Sequence, residues 1–169
     1  MTDRPPTARW ARALAYMLAL GTAWFVLLPL VLLGVAGTRP APRGPLALTL
    51  AALLFGAGLV LALHGGWLLV SRGLGTPLPL DPTRRLVVAG AYRHVRNPQA
   101  LAMLAMSAAE ALAVDAAVLL LLPVLTLGYL LLVGPGEERR LAAAFGPEYL
   151  RYRAQVRKWL PRRLPYQGP

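Results

Sequence analysis

Two stretches of this chain run uncharged for longer than a water-soluble helix has any use for. Ala13 to Gly37 covers 25 residues and Leu46 to Ser71 another 26, with no Asp, Glu, Lys or Arg in either. A helix of 25 residues rises roughly 37 Å, against about 30 Å for the hydrocarbon core of a bilayer. Inside that core each backbone N–H and C=O needs a partner in its own segment, so both stretches are expected to be membrane-spanning helices. Composition agrees: 57% of the residues are hydrophobic and 15% charged, with a mean hydropathy of +0.53. The first run follows arginines, as a signal sequence does, but it is too long for one and lacks a small-x-small cleavage site. It is expected to be retained, with Pro29 kinking it.

Breakers and charges divide the remainder. Residues 1–12 form a polar arm holding Arg4, Arg9 and Arg12. Residues 72–97 carry Gly73, Gly75, Pro77, Pro79 and Pro82 together with five arginines, and read as an extended connector at the membrane surface. Pro98 suits the first position of a helix, where its missing N–H is not needed. From there an apolar segment reaches Val114, Asp115 marks a reversal, and Ala116 to Val133 returns, which predicts a helical hairpin. Beyond Gly134-Pro135-Gly136 the chain turns polar. Leu141, Phe145, Tyr149, Tyr152, Val156 and Trp159 recur at helical spacing, with Arg151, Arg153, Arg157 and Lys158 mainly opposite. Residues 136–163, broken at Gly146-Pro147, therefore predict a pair of amphipathic helices lying on a surface. The expected fold is all-α: one polytopic membrane domain with about four transmembrane helices (13–37, 46–71, 98–114 and 116–133) and a C-terminal interfacial segment.

Charge fixes the expected orientation. Sixteen of the 18 Lys and Arg residues fall in the arm, the connector and the tail, and only Arg39 and Arg43 in the first loop. The positive-inside rule then places both termini in the cytoplasm of a multi-pass protein of the cytoplasmic membrane. The net charge of +11 answers to anionic lipid of the bilayer rather than to nucleic acid. With no cysteine, disulfides, thiolate metal sites and a cysteine nucleophile are excluded. No metal-ligand cluster stands out either, and no metal is expected.

The same orientation brings two polar corners to one face of the membrane. Arg93, His94, Arg96 and Asn97 combine fixed positive charge and several donors with a helix N-terminus, an arrangement suited to a carboxylate or phosphate. They would serve equally as flanking charges that anchor the helix. Glu137 and Glu138 end an apolar run among cations, and would hold an ammonium or sulfonium group or simply neutralise Arg93 and Arg96. Taken together, the corners favour a ligand bearing both a carboxylate and an amine, that is, an amino-acid moiety. Gly56-Ala57-Gly58 lies within a helix, where glycine speaks for close helix packing or for a nucleotide contact. Glu110 and Asp115 belong to the far end and receive no catalytic role.

Several of these pieces recur in a fixed order: Gly75-Thr-Pro-Leu-Pro79 with Asp81-Pro82; Gly90-x-Tyr92-x-x-x-Arg96-Asn97-Pro98; and Glu137-Glu138-x-x-Leu141-x-x-x-Phe145-Gly146-x-x-Tyr149-x-x-Tyr152-x-x-x-Val156. The series ends on Trp159-Leu-Pro161. From Gly56 to Arg163 the chain resembles the integral-membrane methyltransferases that include isoprenylcysteine carboxyl methyltransferase and phosphatidylethanolamine N-methyltransferase. The resemblance implies methyl transfer from S-adenosylmethionine to a lipophilic or small acceptor with a carboxylate, thiol or amine. It further implies a cofactor site of Gly56, Gly58, Tyr92, Arg96, Asn97, Pro98, Glu137 and Glu138, with Arg96, Glu138 and His94 in catalytic roles. The chain departs from the family pattern at Gln99, Ala100 and Arg139. The competing reading is a non-catalytic membrane scaffold, or a degenerate relative, binding anionic lipid through its basic rim.

Overall fold

A computed structural model describes residues 6–76 and 82–168, apart from the side chains of Pro6 and Arg9. Arg4 of the arm and Pro77, Leu78, Pro79 and Asp81 of the connector lie outside the described residues. All the regular elements are helical. The first crossing is α1 (Pro6–Thr22), a π-helical turn (Ala23–Leu27) and α2 (Leu28–Val35). The π turn is the form the expected kink takes. Pro29 has no N–H to offer the carbonyl of Phe25 and its ring crowds that carbonyl, so widening the helix there relieves the clash.

α3 (Pro45–Ser71) and α5 (Leu121–Gln155) are the other long helices, and α4 (Pro98–Ala113) lies between them. Among the described residues three helices are long and apolar enough to cross a membrane: Trp10–Val35, Pro45–Ser71 and Ala117–Gln155. α4 has 16 residues, about 24 Å of helix, and is the most enclosed of the set. It packs antiparallel to α3. A Cβ added to Gly58 would stand 2.8 Å from Met106 Cγ and 3.0 Å from the Ala102 carbonyl oxygen, so glycine is what lets the two helices touch. At the far end the Arg43 N–H donates to the Ala113 carbonyl and the Asp115 N–H to the Ala41 carbonyl. The first loop and the hairpin reversal are thereby tied together.

One polar chain crosses the apolar interior. Trp24 Nε1 donates to Thr126 Oγ1 at 3.0 Å, Thr126 donates to the Leu122 carbonyl at 2.8 Å, and Ser107 lies 2.7 Å from the same hydroxyl. Ser107 and Thr126 are fully buried. The π turn, α4 and α5 are thus clasped by hydrogen bonds that have no water to compete with them. Outward, Leu14, Leu18, Val35, Leu46 and Leu132 are all more than half exposed, a surface fit for lipid.

Two expectations for the C-terminal third are corrected. The helix does not end at Gly134-Pro135-Gly136, because Pro135 forfeits only one bond of the ladder while the turns on either side stay intact. It bends where Gly146-Pro147 is expected to break it, at Gly146 (φ 52°, ψ −131°), a conformation open essentially to glycine alone, and Pro147 starts the stretch that follows. Of the predicted pair over 136–163, helix is present on both sides of Gly146, but it stops at Gln155 and an irregular tail follows. Val156 is extended (φ −111°, ψ 123°), and Pro161 and Pro165 prevent the helix from resuming. The apolar stripe has a different destination from the one expected. Tyr149, Tyr152 and Val156 close with Tyr166 into a buried cluster, so their periodicity reflects an internal core.

Candidate functional site

At the end of the bundle opposite the first loop, the connector folds back on itself. The Arg84 N–H donates to the Gly73 carbonyl at 2.8 Å, bringing 82–89 against the end of α3. Gly90 then enters at φ 50°, packed so closely on the His64 ring that a Cβ there would collide with it. A single 3₁₀ turn (Gly90–Arg93) follows and points Tyr92 inward. The Tyr92 carbonyl accepts from Tyr152 Oη at 2.6 Å, which ties the turn to α5. Asn97 caps α4: its Oδ1 accepts the Ala100 N–H at 3.1 Å, and Pro98 takes the first helical position.

Arg96 is the centre of this region. Nε donates to the Val156 carbonyl at 2.8 Å, and Nη1 donates to Glu138 Oε1 at 2.8 Å and to Tyr149 Oη at 3.1 Å. Glu138 is ringed by cations. Besides Arg96, Lys158 Nζ lies 3.5 Å from the same oxygen and Arg153 Nε lies 3.7 Å from the other. Glu137 differs from its neighbour in kind. Among the described residues no cationic nitrogen lies within ion-pair distance of it, yet it lines the same space. One carboxylate is therefore spent on internal ion pairs, while the other feels the charges of Lys158 and Arg140 from beyond ion-pair distance.

That space is a cleft of about 140 Å³ between the connector with the start of α4 and the middle of α5. Tyr92, Arg96, Asn97 and Gln99 line one wall and Glu137 and Phe145 the other. Apolar side chains such as Leu69, Leu86 and Leu141 complete it. Burial pushes the Tyr92 phenol well above its ordinary pKa, and the charge of Glu137 acts in the same direction. Tyr92 is thus held as a neutral hydroxyl beside a carboxylate. A smaller depression shares the Arg96–Asn97–Glu137 edge of the cleft and also contains Glu138 and Lys158.

Of the residues singled out in the sequence, Tyr92, Arg96, Asn97 and Glu137 line the cleft, Glu138 lines the depression, and Pro98 is fully buried and lines neither. His94 faces elsewhere. Its Nδ1 lies 2.9 Å from the Arg162 carbonyl oxygen, and its own carbonyl accepts the Arg162 N–H. Arg93 likewise donates to the Tyr166 carbonyl at 2.6 Å. These two residues hold the tail. Gly58 packs on α4, Gly56 has open space beside it, and neither lines the cleft. Ala100 is 1% exposed and lies outside the cleft wall, whereas Gln99, resting on Gly65 and Gly66, forms part of it. Lys158 is the participant that sequence reasoning missed, because a helical tail would have turned it to solvent.

Fold and site together define a class: a helical bundle with, among the described residues, three helices apolar enough to cross a membrane and a cleft at one polar end lined by charges of both signs. The sequence model of the phospholipid methyltransferase family matches residues 46–148, from the start of α3 through both charged corners. The chain belongs to that family, and so to the membrane methyltransferases. No curated protein and no solved structure matches the chain.

Proposed function

We propose that the protein transfers a methyl group from S-adenosylmethionine to an acceptor that reaches the cleft from the membrane. The observation that carries this reading is the pairing, in one cleft, of a fixed guanidinium with a carboxylate that, among the described residues, has no cation within ion-pair distance. Arg96 is held by Val156, Glu138 and Tyr149, which leaves Nη2 to meet the carboxylate of the methionine moiety. Glu137 takes the ammonium group, and Tyr92 and Asn97 complete the wall. Glu138 acts through Arg96, fixing its plane, and His94 acts by holding the tail. The cleft's mixed polar and apolar lining suits a nucleoside joined to an amino acid.

S-adenosylmethionine supplies the methyl group as an electrophile bound to a sulfonium. The nucleophile's lone pair forms the new bond while the electrons of the S–C bond return to sulfur. Charge disperses along this path, so the protein's part is to align donor and acceptor and to exclude water. A carboxylate or thiolate acceptor needs no base in such a step. The apolar wall of Leu69, Leu86 and Leu141 would receive a lipophilic acceptor. In the membrane, α4 is read as the fourth crossing, with both termini and the site on the cytoplasmic face, in keeping with the distribution of Lys and Arg.

The test is methyl transfer itself. Purified protein in vesicles of extracted membrane lipid, supplied with methyl-labelled S-adenosylmethionine, should move label into an organic-soluble fraction, and Arg96→Ala should abolish the transfer. Label no greater than that of Arg96→Ala, with every lipid fraction and small acceptor tried, would favour the non-catalytic scaffold.

A further inference from the structure

The tail after α5 reaches the site, and it brings a charge. Residues 156–166 run beside the 93–96 turn. The Arg96 N–H donates to the Arg157 carbonyl, the Arg162 N–H to the His94 carbonyl and the Tyr166 N–H to the Arg93 carbonyl, all at 2.9 Å. Tyr166 is buried and packs on Tyr152 with ring centroids 5.6 Å apart. This strap aims Lys158 inward. Its side chain is only 17% exposed, its ammonium lies against the backbone of Gly134 where a Cβ would collide with it, and Trp159 flanks it at 5.4 Å.

Lys158 and Arg96 approach the same oxygen of Glu138. The depression around them is lined by two cations, Arg96 and Lys158, and two carboxylates, Glu137 and Glu138. Remove the lysine and those four groups become three, with one positive charge fewer where the ligand's carboxylate would arrive. With it in place, two cations share one oxygen of Glu138 while Arg153 faces the other, leaving donors for a second carboxylate. We propose that Lys158, delivered by the C-terminal tail, joins Arg96 in binding the carboxylate at the amino-acid end of the ligand. Gly134 is then the residue that makes room for that lysine. This assignment rests on the cofactor reading above and adds to it a residue outside the 46–148 family match.

Two probes separate the lysine's role from a merely structural one. S-adenosylhomocysteine carries the amino-acid end, and methylthioadenosine carries the nucleoside without it. By calorimetry in detergent, Lys158→Met should bind S-adenosylhomocysteine at least about tenfold more weakly, the loss of one charged hydrogen bond, with methylthioadenosine unchanged. Lys158→Arg should restore most of the affinity. Gly134→Ala, which displaces the ammonium while altering no charge, should reproduce the selective loss. Equal weakening of both probes, or of neither, in Lys158→Met overturns the lysine's role while leaving the cofactor reading intact. Failure of the unaltered protein to bind either probe overturns both.

Discussion

The two adjacent glutamates should fail in different ways when each is neutralised. Glu138→Gln keeps the shape and removes the charge that Arg96, Lys158 and Arg153 converge on. Arg96 and Glu138 are 12% and 18% exposed, so solvent screens their 2.8 Å contact little. A charged hydrogen bond is worth about 1.5–3 kcal/mol, and the amide that replaces it retains about 1 kcal/mol as a neutral acceptor. Arg153 is half exposed and adds close to nothing. With a smaller part from Lys158, Glu138→Gln should destabilise the protein by about 1–2.5 kcal/mol. Glu137→Gln breaks no ion pair and should leave stability within about 0.5 kcal/mol. In ligand binding the order reverses in kind. Glu137→Gln loses the partner of the ligand's ammonium and should weaken S-adenosylmethionine about 10- to 100-fold in a folded protein. Denaturing-detergent titration followed by circular dichroism measures the first quantity and calorimetry the second. Equal destabilisation by the two substitutions, or a Glu138→Gln protein as stable as the parent, would refute the division of labour.

Three further outcomes follow from single contacts. Gly146→Ala forces a side chain into φ 52°, ψ −131°, and should cost about 1–3 kcal/mol in the same titration, since the last stretch of α5 cannot keep its angle. Trp24→Phe removes the donor to Thr126, and should cost about 0.6 kcal/mol of stability with no change in cofactor affinity, because the clasp lies away from the cleft. The raised pKa of Tyr92 has a definite sign: its contribution is complete below the unfolded value of about 10 and is lost as pH rises beyond that, where only the unfolded chain ionises. Stability measured from pH 7 to 11 should therefore decline at the alkaline end, and Tyr92→Phe should flatten part of that decline.

Much of the fold could be read from where charge is missing. The uncharged runs at 13–37 and 46–71 correspond to long helices, and Asn97-Pro98 begins α4 for the local reasons the residues suggest. Counting Lys and Arg also put the two polar corners at one end, and Arg96 and Glu138 do meet there. The C-terminal third was less legible. Gly134-Pro135-Gly136 resembles a terminator, but a helix with intact turns on both sides tolerates one missing N–H. The spacing of Tyr149, Tyr152 and Val156 marks an apolar face without saying whether lipid or protein covers it, and here Tyr166 does. Three of the charged residues had their roles set by a path the sequence does not display. Once the tail runs beside 93–96, Arg93 and His94 become its holders and Lys158 turns inward. Periodicity reports faces of regular elements, whereas the tail is neither helix nor strand.

The central claim is that Arg96 and Glu137, 41 positions apart in the chain, grip one small molecule between them. Calorimetric titration of S-adenosylmethionine into the purified protein tests it most directly, with Arg96→Ala and Glu137→Gln alongside. The account predicts a single saturable site with a stoichiometry of one, weakened in both variants. Absence of saturable heat in the parent protein, or binding that both variants leave untouched, would contradict it.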